Sequence, residues 1–172
     1  MSAERFEVGD DMSPIDCVAV VLVKGHRVLA EKRTQTKSVA PGAVALPGGH
    51  VERGERPEDA LRREVWEELR IVPRRIAYVC TLLHRAQEFC ALHYFAVEEW
   101  EGELSNREAE ALTWVSLGEL SRLDLDVDRM AVVEYLRVYR DAEASMPAGH
   151  QGEMEEAEET VGGEERARDG QQ

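Results

Sequence analysis

Three glutamates crowd one short segment of this chain, at a spacing that suits a shared ligand. Glu64, Glu67 and Glu68 would project from one side of a helix, which has about 3.6 residues per turn. Like charges at these separations destabilise a helix by roughly 0.2–0.5 kcal/mol per pair. A divalent cation would remove that cost, because Mg²⁺ prefers hard carboxylate oxygens as ligands. The alternative is an acidic helix face that only solvent contacts.

The residues around the glutamates favour the cation site over the solvated face. Arg63 is adjacent in sequence and is able to fix a carboxylate through two parallel hydrogen bonds. The apolar lead-in VALPGG ends in Gly48 and Gly49, where we expect a tight turn whose backbone carbonyl lies near the helix. A solvated acidic face would leave the glycines and the arginine without a role. The pattern therefore predicts a divalent-metal site.

A helix over residues 57–69 must carry these carboxylates. Pro57 suits a first helical turn, and Glu58 and Asp59 favour the positive end of the helix dipole. Apolar and β-branched runs predict strands at 15–23, 28–33, 75–84 and 88–100, a shorter strand within 43–47, and a short strand followed by a single helical turn within 111–120. A turn is expected at 100–103, and an amphipathic closing helix at 128–140.

Composition limits the class of protein and its partners. The chain has 172 residues and a net charge of −14. Its composition along the sequence predicts a leader at 1–13, one domain at 14–140 and an acidic tail at 141–172 that is too polar to pack. The charge disfavours nucleic acid and anionic membranes as partners, but a bound metal still permits a phosphate-bearing substrate. No membrane span or signal peptide is evident, and three cysteines without a CxxC pair favour a cytoplasmic location.

The metal segment resembles a known family signature. Gly49, then Glu55 after five residues, then the run from Arg63 to Ile71 after seven more, resembles the Nudix box G-x5-E-x7-R-E-U-x-E-E-x-G-U, where U is aliphatic. The resemblance implies an α/β fold, the Nudix-type α/β/α sandwich with a mixed central sheet. Arg70 departs from the family glycine. At a left-handed helix end, arginine would add about 1 kcal/mol of strain or shift the cap.

The resemblance also implies a ligand set and catalytic roles. The metal, Mg²⁺ or alternatively Mn²⁺, would be held by the Gly48 carbonyl, Glu64, Glu67, Glu68 and a further glutamate preceding Trp114. Counting six residues back from this tryptophan gives Glu108, with Glu110 as the competing candidate. Glu67 and Glu108 are both candidates for the group that takes the proton from water, and Glu64 and Arg63 complete the catalytic set. Glu55 is expected to orient Arg63.

A small-molecule nucleotide is the substrate that this resemblance implies. Lys32, Arg33 and Gly49 are the expected substrate contacts, with Lys37 nearby, and Asp126 or Asp128 is the candidate for reading a base edge. Base-stacking candidates lie on the central strands: His84, Phe89, His93 and Tyr94. ADP-ribose hydrolases of the family tend to carry a proline where this chain has Ala86, and diadenosine polyphosphate hydrolases carry a tyrosine where it has Glu88. Both of these residues are absent here.

Those absences favour a MutT-like nucleoside triphosphate pyrophosphohydrolase, with an oxidised dNTP among the candidate substrates. Two alternatives stay open at this point. One is a Nudix hydrolase acting on a nucleotide sugar, a dinucleotide or a capped RNA end. The other is a nucleotide-binding module without turnover. The oligomeric state is open as well, a homodimer included.

Overall fold

Nine strands, two α-helices and a 3-10 turn at Leu120–Arg122 lie within residues 13–37 and 39–140, the part of the chain that the computed structural model describes. The predicted tail and all but the last residue of the predicted leader lie outside these ranges. The strands are β1 Ile15–Lys24, β2 Arg27–Lys32, β3 Val44–Ala45, β4 Gly48–His50, β5 Val72–Pro73, β6 Ala77–Arg85, β7 Phe89–Val97, β8 Trp100–Glu101 and β9 Ala111–Ser116. The helices are α1 Pro57–Leu69 and α2 Asp126–Tyr135.

Strand β1 is the centre of a mixed sheet. It pairs in parallel with β7 and antiparallel with β4 and, at its far end, with β2. The main path of the sheet runs β3-β2-β1-β7-β6, and β9 pairs with β2. Only the β1–β7 pair is parallel among the described strands, so the sheet is mixed as predicted.

The two faces of β1 explain why its sequence is almost continuously apolar. Successive side chains of a strand point to opposite faces. Val18, Val20 and Leu22 pack in the core that includes α1 residues. The alternate residues Ala19, Val21 and Val23 pack in the core that includes α2 residues. A sheet covered by a helix on each face is the α/β/α sandwich expected from the family resemblance, and the fold class is confirmed.

Helix α1 buries one stripe against this sheet. Its buried apolar residues are Ala60, Leu61, Val65 and Leu69. Glu68 lies within the same stripe, with only 3% of its surface exposed. A carboxylate inside an apolar stripe is costly unless it is paired or binds a metal. The core-facing side of α1 is therefore also the side that carries the chemistry.

The glycine pair differs from the predicted tight turn. Gly48 and Gly49 belong to β4, and Gly48 lies opposite Ala19 of β1. A Cβ on Gly48 would lie 2.1 Å from the backbone oxygen of Val18. Glycine is thus required for close approach of two backbones, not for a left-handed conformation.

Several boundaries also differ from the sequence predictions, and the strand predicted at 88–100 is interrupted, because β7 ends at Val97 and β8 begins at Trp100. The predicted turn at 100–103 begins with the two-residue strand β8, which pairs with β5. Helix α2 begins at Asp126 instead of residue 128, and its last predicted turn, Leu136–Arg140, is π-helical. Elements of two residues carry no periodicity, so pattern analysis does not detect them. In the described ranges, no helix is both long and apolar enough to cross a membrane.

The residue that ends α1, Arg70, has a left-handed backbone conformation although it stands where the Nudix box has glycine. Arg70 has φ 58° and ψ 30°, and its N–H donates to the Trp66 carbonyl. Its guanidinium lies 5.2 Å from the centre of the Trp66 ring. Of the two outcomes considered above, the structure shows the strained residue and not a displaced cap.

We expect Arg70→Gly to be more stable than Arg70→Ala by about 1 kcal/mol, because only glycine adopts a left-handed conformation without steric cost. Both variants lose the contact with Trp66, so their difference isolates the backbone. Urea unfolding of the two proteins measures it. Equal stabilities would show that residue 70 is not left-handed in solution.

Candidate functional site

A cavity of about 380 Å³ lies between β1, β4, α1 and the segments that follow β2 and precede β9. Most of the predicted site residues line it: Arg33, Gly48, Gly49, Arg63, Glu64, Glu67, Glu108 and Asp128. Glu68 lies next to it and is held by a side chain of its wall, Lys37. The structure thus brings together residues spread over almost 100 positions of sequence.

Lys32 is the one predicted site residue that the structure turns elsewhere. Its ammonium donates to the backbone carbonyl of Gly42, and it does not belong to the cavity lining. Consecutive side chains of a strand point in opposite directions, so Lys32 and Arg33 were not both able to face one site. Of the two cations at the end of β2, the structure brings Arg33 to the cavity.

Arg63 is the centre of the carboxylate network. It donates from Nε and Nη2 to the two oxygens of Glu55, at 3.1 and 3.0 Å. Its Nη1 donates to Glu64 at 2.7 Å and to Glu67 at 3.2 Å, and Nη2 also donates to the His50 carbonyl at 3.0 Å. The bidentate pair with Glu55 raises the pKa of Arg63 and lowers the pKa of Glu55. Arg63 therefore fixes two of the three clustered glutamates.

Gly49 makes room for the first of these glutamates. A Cβ at this position would lie 2.4 Å from the carboxyl carbon of Glu64. The Glu64 carboxylate thus rests against the backbone of β4, and only 14% of its side chain is exposed. The glycine that follows Gly48 serves the site, whereas Gly48 itself serves the pairing with β1.

Glu68 is the most buried carboxylate of the cluster. Its Oε1 lies 3.4 Å from the ammonium of Lys37, and its Oε2 is buried without a hydrogen-bond partner. Burial raises the pKa of Glu68 to about 8, and the nearby Glu31 adds to the shift. A buried oxygen without a partner calls for an explanation, and a cationic ligand would satisfy it.

The loop before β9 brings Glu108 to the cluster. The Ser105 and Arg107 amides donate to the Leu69 and Glu68 carbonyls, at 2.9 and 3.0 Å. Glu108 lines the cavity and pairs with Lys37. Its competitor Glu110 does not line the cavity, although its amide donates to the Lys32 carbonyl at 2.9 Å. The geometry therefore favours Glu108.

Two residues of the site have contacts that the sequence did not predict. Glu31 is 1% exposed, accepts from Arg33 Nη1 at 3.0 Å, and has a pKa raised by burial. Arg33 Nε also donates to the Val39 carbonyl at 3.0 Å. From the sequence, Lys37 was a candidate cation for gripping phosphate and not a partner of Glu68 and Glu108. The one available signal was a charged residue, Glu31, inside the otherwise apolar strand β2.

The carboxylates fit a divalent cation, although cationic side chains hold them in the structure. Across residues 13–37 and 39–140, no three His, Cys, Asp or Glu side chains are already arranged to hold a metal ion. Arg63 and Lys37 occupy the carboxylates instead. The orphaned Oε2 of Glu68 and the hard oxygen donors around it are what Mg²⁺ or Mn²⁺ requires.

The far wall of the cavity contains Asp128. This side chain is 2% exposed and accepts from the Leu46 amide at 2.8 Å and from the Tyr94 hydroxyl at 2.7 Å. Burial raises the pKa of Asp128 to about 6. Tyr94 is fully buried in the core, so it supports Asp128 and offers no ring to a base.

Among the other stacking candidates only His84 lines the cavity. Its Nε2 is buried and has no hydrogen-bond partner. His93 bridges Asp16 and Thr81 at 2.9 and 2.8 Å, and Phe89 lies under the Arg85 guanidinium at 4.4 Å. Asp126, the alternative to Asp128, is 84% exposed and pairs with Arg129.

We expect the metal-free protein to lose stability as pH rises from about 4.5 towards about 8. The folded-state pKa of Glu68 lies above its ordinary value, so the folded protein keeps a proton that the unfolded chain releases in this window. Urea unfolding at several pH values in the presence of a chelator measures the slope. Glu68→Gln should reduce it, and an unchanged slope would contradict the assignment.

Comparison with known proteins gives consistent matches. A family model described as NUDIX domain matches residues 13–136. The 8-oxo-dGTP diphosphatase of Escherichia coli is 28% identical over 121 residues, which cover 70% of this chain and 93% of that protein. The nucleoside triphosphatase NudI of Klebsiella pneumoniae is 35% identical over 116 residues, covering 60% and 81%. The crystal structure of a MutT NUDIX hydrolase from Burkholderia pseudomallei matches with a TM-score of 0.65 at 28% identity, covering 72% and 98%.

Proposed function

The chain belongs to the Nudix family and is a Nudix hydrolase, and on this premise we propose that it hydrolyses a nucleoside triphosphate to the monophosphate and pyrophosphate. The observation that carries the proposal is a cavity in which Glu64 and Glu67 of α1, with Glu68 beside them, meet three cationic side chains, which are Arg33, Lys37 and Arg63. Carboxylates without cations would repel a triphosphate, and cations without carboxylates would bind it without activating water. The cavity combines both.

A divalent metal belongs to Nudix chemistry, and we propose Mg²⁺, with Mn²⁺ as a substitute. Glu64, Glu67, Glu68 and Glu108 would hold it, together with the Gly48 carbonyl. When bound, such an ion lowers the pKa of a water ligand and neutralises charge on the phosphoryl oxygens. The buried and partnerless Oε2 of Glu68 supports this assignment.

The other roles follow from the positions of the chain's own groups. Arg63, fixed by Glu55, holds Glu64 and Glu67 in place. Arg33, fixed by Glu31 and by the Val39 carbonyl, presents a guanidinium to the phosphates. The proton acceptor is Glu67 or Glu108, which both line the cavity. The glutamine variant that loses turnover but keeps metal affinity identifies it.

The identity of the base depends on the far wall. Asp128 already accepts two hydrogen bonds, and each of its oxygens has a second lone pair for a donor on a base edge. A guanine edge offers such donors, and one relative is an 8-oxo-dGTP diphosphatase. We therefore place oxidised dGTP first among the substrates to be tested.

The test is a panel of ordinary and oxidised ribo- and deoxyribonucleoside triphosphates with Mg²⁺, with products identified by mass. We expect a monophosphate and pyrophosphate from at least one member and no turnover in the presence of a chelator. Turnover only of nucleotide sugars, dinucleotides or capped RNA would replace the triphosphate with another substrate class. Tight binding without turnover of any compound would make the protein a binding module.

A further inference from the structure

One lysine joins the two segments that carry Glu68 and Glu108. Lys37 extends from the loop after β2, with 20% of its side chain exposed. Its ammonium lies 3.4 Å from Glu68 of α1 and is also paired with Glu108 of the loop before β9. The ammonium is thus held by two carboxylates at once.

This position is the one that a divalent cation would need. An ion that uses both Glu68 and Glu108 as ligands competes with the ammonium for the same oxygens, and two cations at one carboxylate repel each other. Glu31, fully buried nearby, adds negative charge that favours whichever cation is present. The Lys37 ammonium and the metal are therefore alternative partners of the Glu68 and Glu108 carboxylates.

We propose that Lys37 is an internal competitor of the metal, one that links metal binding to substrate binding. The ammonium holds Glu68 and Glu108 together in the metal-free enzyme and leaves them when metal and nucleotide arrive together. The inference rests on the metal site of the proposed function. It adds that free metal binds weakly and that a polyphosphate increases its affinity.

The surroundings of Lys37 explain why a polyphosphate would help the metal to displace it. Lys37 lines the same cavity as Arg33 and Arg63, so a displaced ammonium without an anion would face two guanidinium groups and the metal. A polyphosphate offers it new oxygen acceptors in the same space. The loop that carries Lys37 is closed at its base, where the Arg33 amide donates to the Ala43 carbonyl at 2.8 Å.

The test is calorimetric titration of the full chain with Mg²⁺, alone and with inorganic triphosphate, which has no base. In Lys37→Met we expect Mg²⁺ alone to bind about fivefold tighter or more, within the usual range of site-to-site coupling. The gain in Mg²⁺ affinity that triphosphate provides should fall by a similar factor. Lys24→Met is the matched control, since it removes the same charge at an exposed lysine outside the cavity and should behave as the unmodified protein.

Equal Mg²⁺ affinity in Lys37→Met and the unmodified protein would overturn the inference. Tighter binding of Mg²⁺ to Lys37→Met, with an undiminished gain from triphosphate, would show that Lys37 does not link metal binding to substrate binding. Failure of the proposed function looks different, because no variant would then bind Mg²⁺ with or without triphosphate. Lys37→Gln, checked for folding by circular dichroism, must repeat the result of Lys37→Met, and a disagreement between the two counts against the inference.

Discussion

Glu68→Gln is expected to lower pyrophosphate release by about 10³-fold, which corresponds to roughly 4 kcal/mol of lost transition-state stabilisation. Glu68 is the most buried of the clustered carboxylates, and one of its oxygens has no partner. Glutamine keeps the shape but removes the charge that a metal requires. The measurement is kcat/KM on the best substrate of the panel, with Mg²⁺ in excess.

The same variant should fold at least as stably as the unmodified protein when metal is absent. Burying a charged carboxylate is costly, whereas a neutral amide of the same size avoids most of that cost. Thermal unfolding at about pH 8, where the carboxyl is half ionised, should show an unchanged or higher Tm. Glu58→Gln on the exposed end of the same helix is the control and should keep full activity. A large loss of stability in Glu68→Gln would mean that the carboxylate holds the fold instead of a metal.

Arg63→Lys is the second large effect that we expect, with kcat/KM reduced about 100-fold and the free energy of unfolding reduced by about 2 kcal/mol. Arg63 donates to Glu55, Glu64, Glu67 and the His50 carbonyl. A lysine has three donors on one atom and cannot reproduce the bidentate bond. Glu64 and Glu67 would then lose the group that fixes them.

Activity assays and urea unfolding of the same preparation measure both effects. Arg62→Lys is the matched control, because Arg62 donates to the Pro73 carbonyl at 3.2 Å and does not line the cavity. The control should keep its activity within about twofold, since it leaves the transition-state contacts intact. If the two variants behave alike, Arg63 has no special part in arranging the glutamates.

The fold and the cluster on α1 were predictable because their signals are local. The helix over 57–69 was predicted with the bounds that the structure shows, since proline, acidic residues and apolar spacing mark it from within. The neighbourhood of Glu64, Glu67 and Glu68 follows directly from helical geometry. The apolar run of β1 indicated a strand buried on both faces, which requires layers on both sides of the sheet.

Contacts between distant segments were not predictable in the same way. Glu68 and Lys37 are 31 residues apart in sequence, and no periodicity relates them. The direction of Lys32 depends on which face of β2 meets the loop. Tyr94 was a candidate for base stacking until the structure showed its hydroxyl bonded to Asp128 inside the core.

The position of Glu68 within the buried stripe of α1 limits how the length of this protein can vary. One residue added or removed between Pro57 and Glu68 would rotate the remainder of the helix by about 100°. An added residue would put Glu68 in the environment of Leu69, and a removed residue would put Leu69 in the environment of Glu68, so the hydrophobic interior and the reaction centre would fail together. The loop between β2 and β3 is under no such restriction except at the residues that contact the cavity. Insertions and deletions are therefore expected to be tolerated in that loop and excluded from the helix.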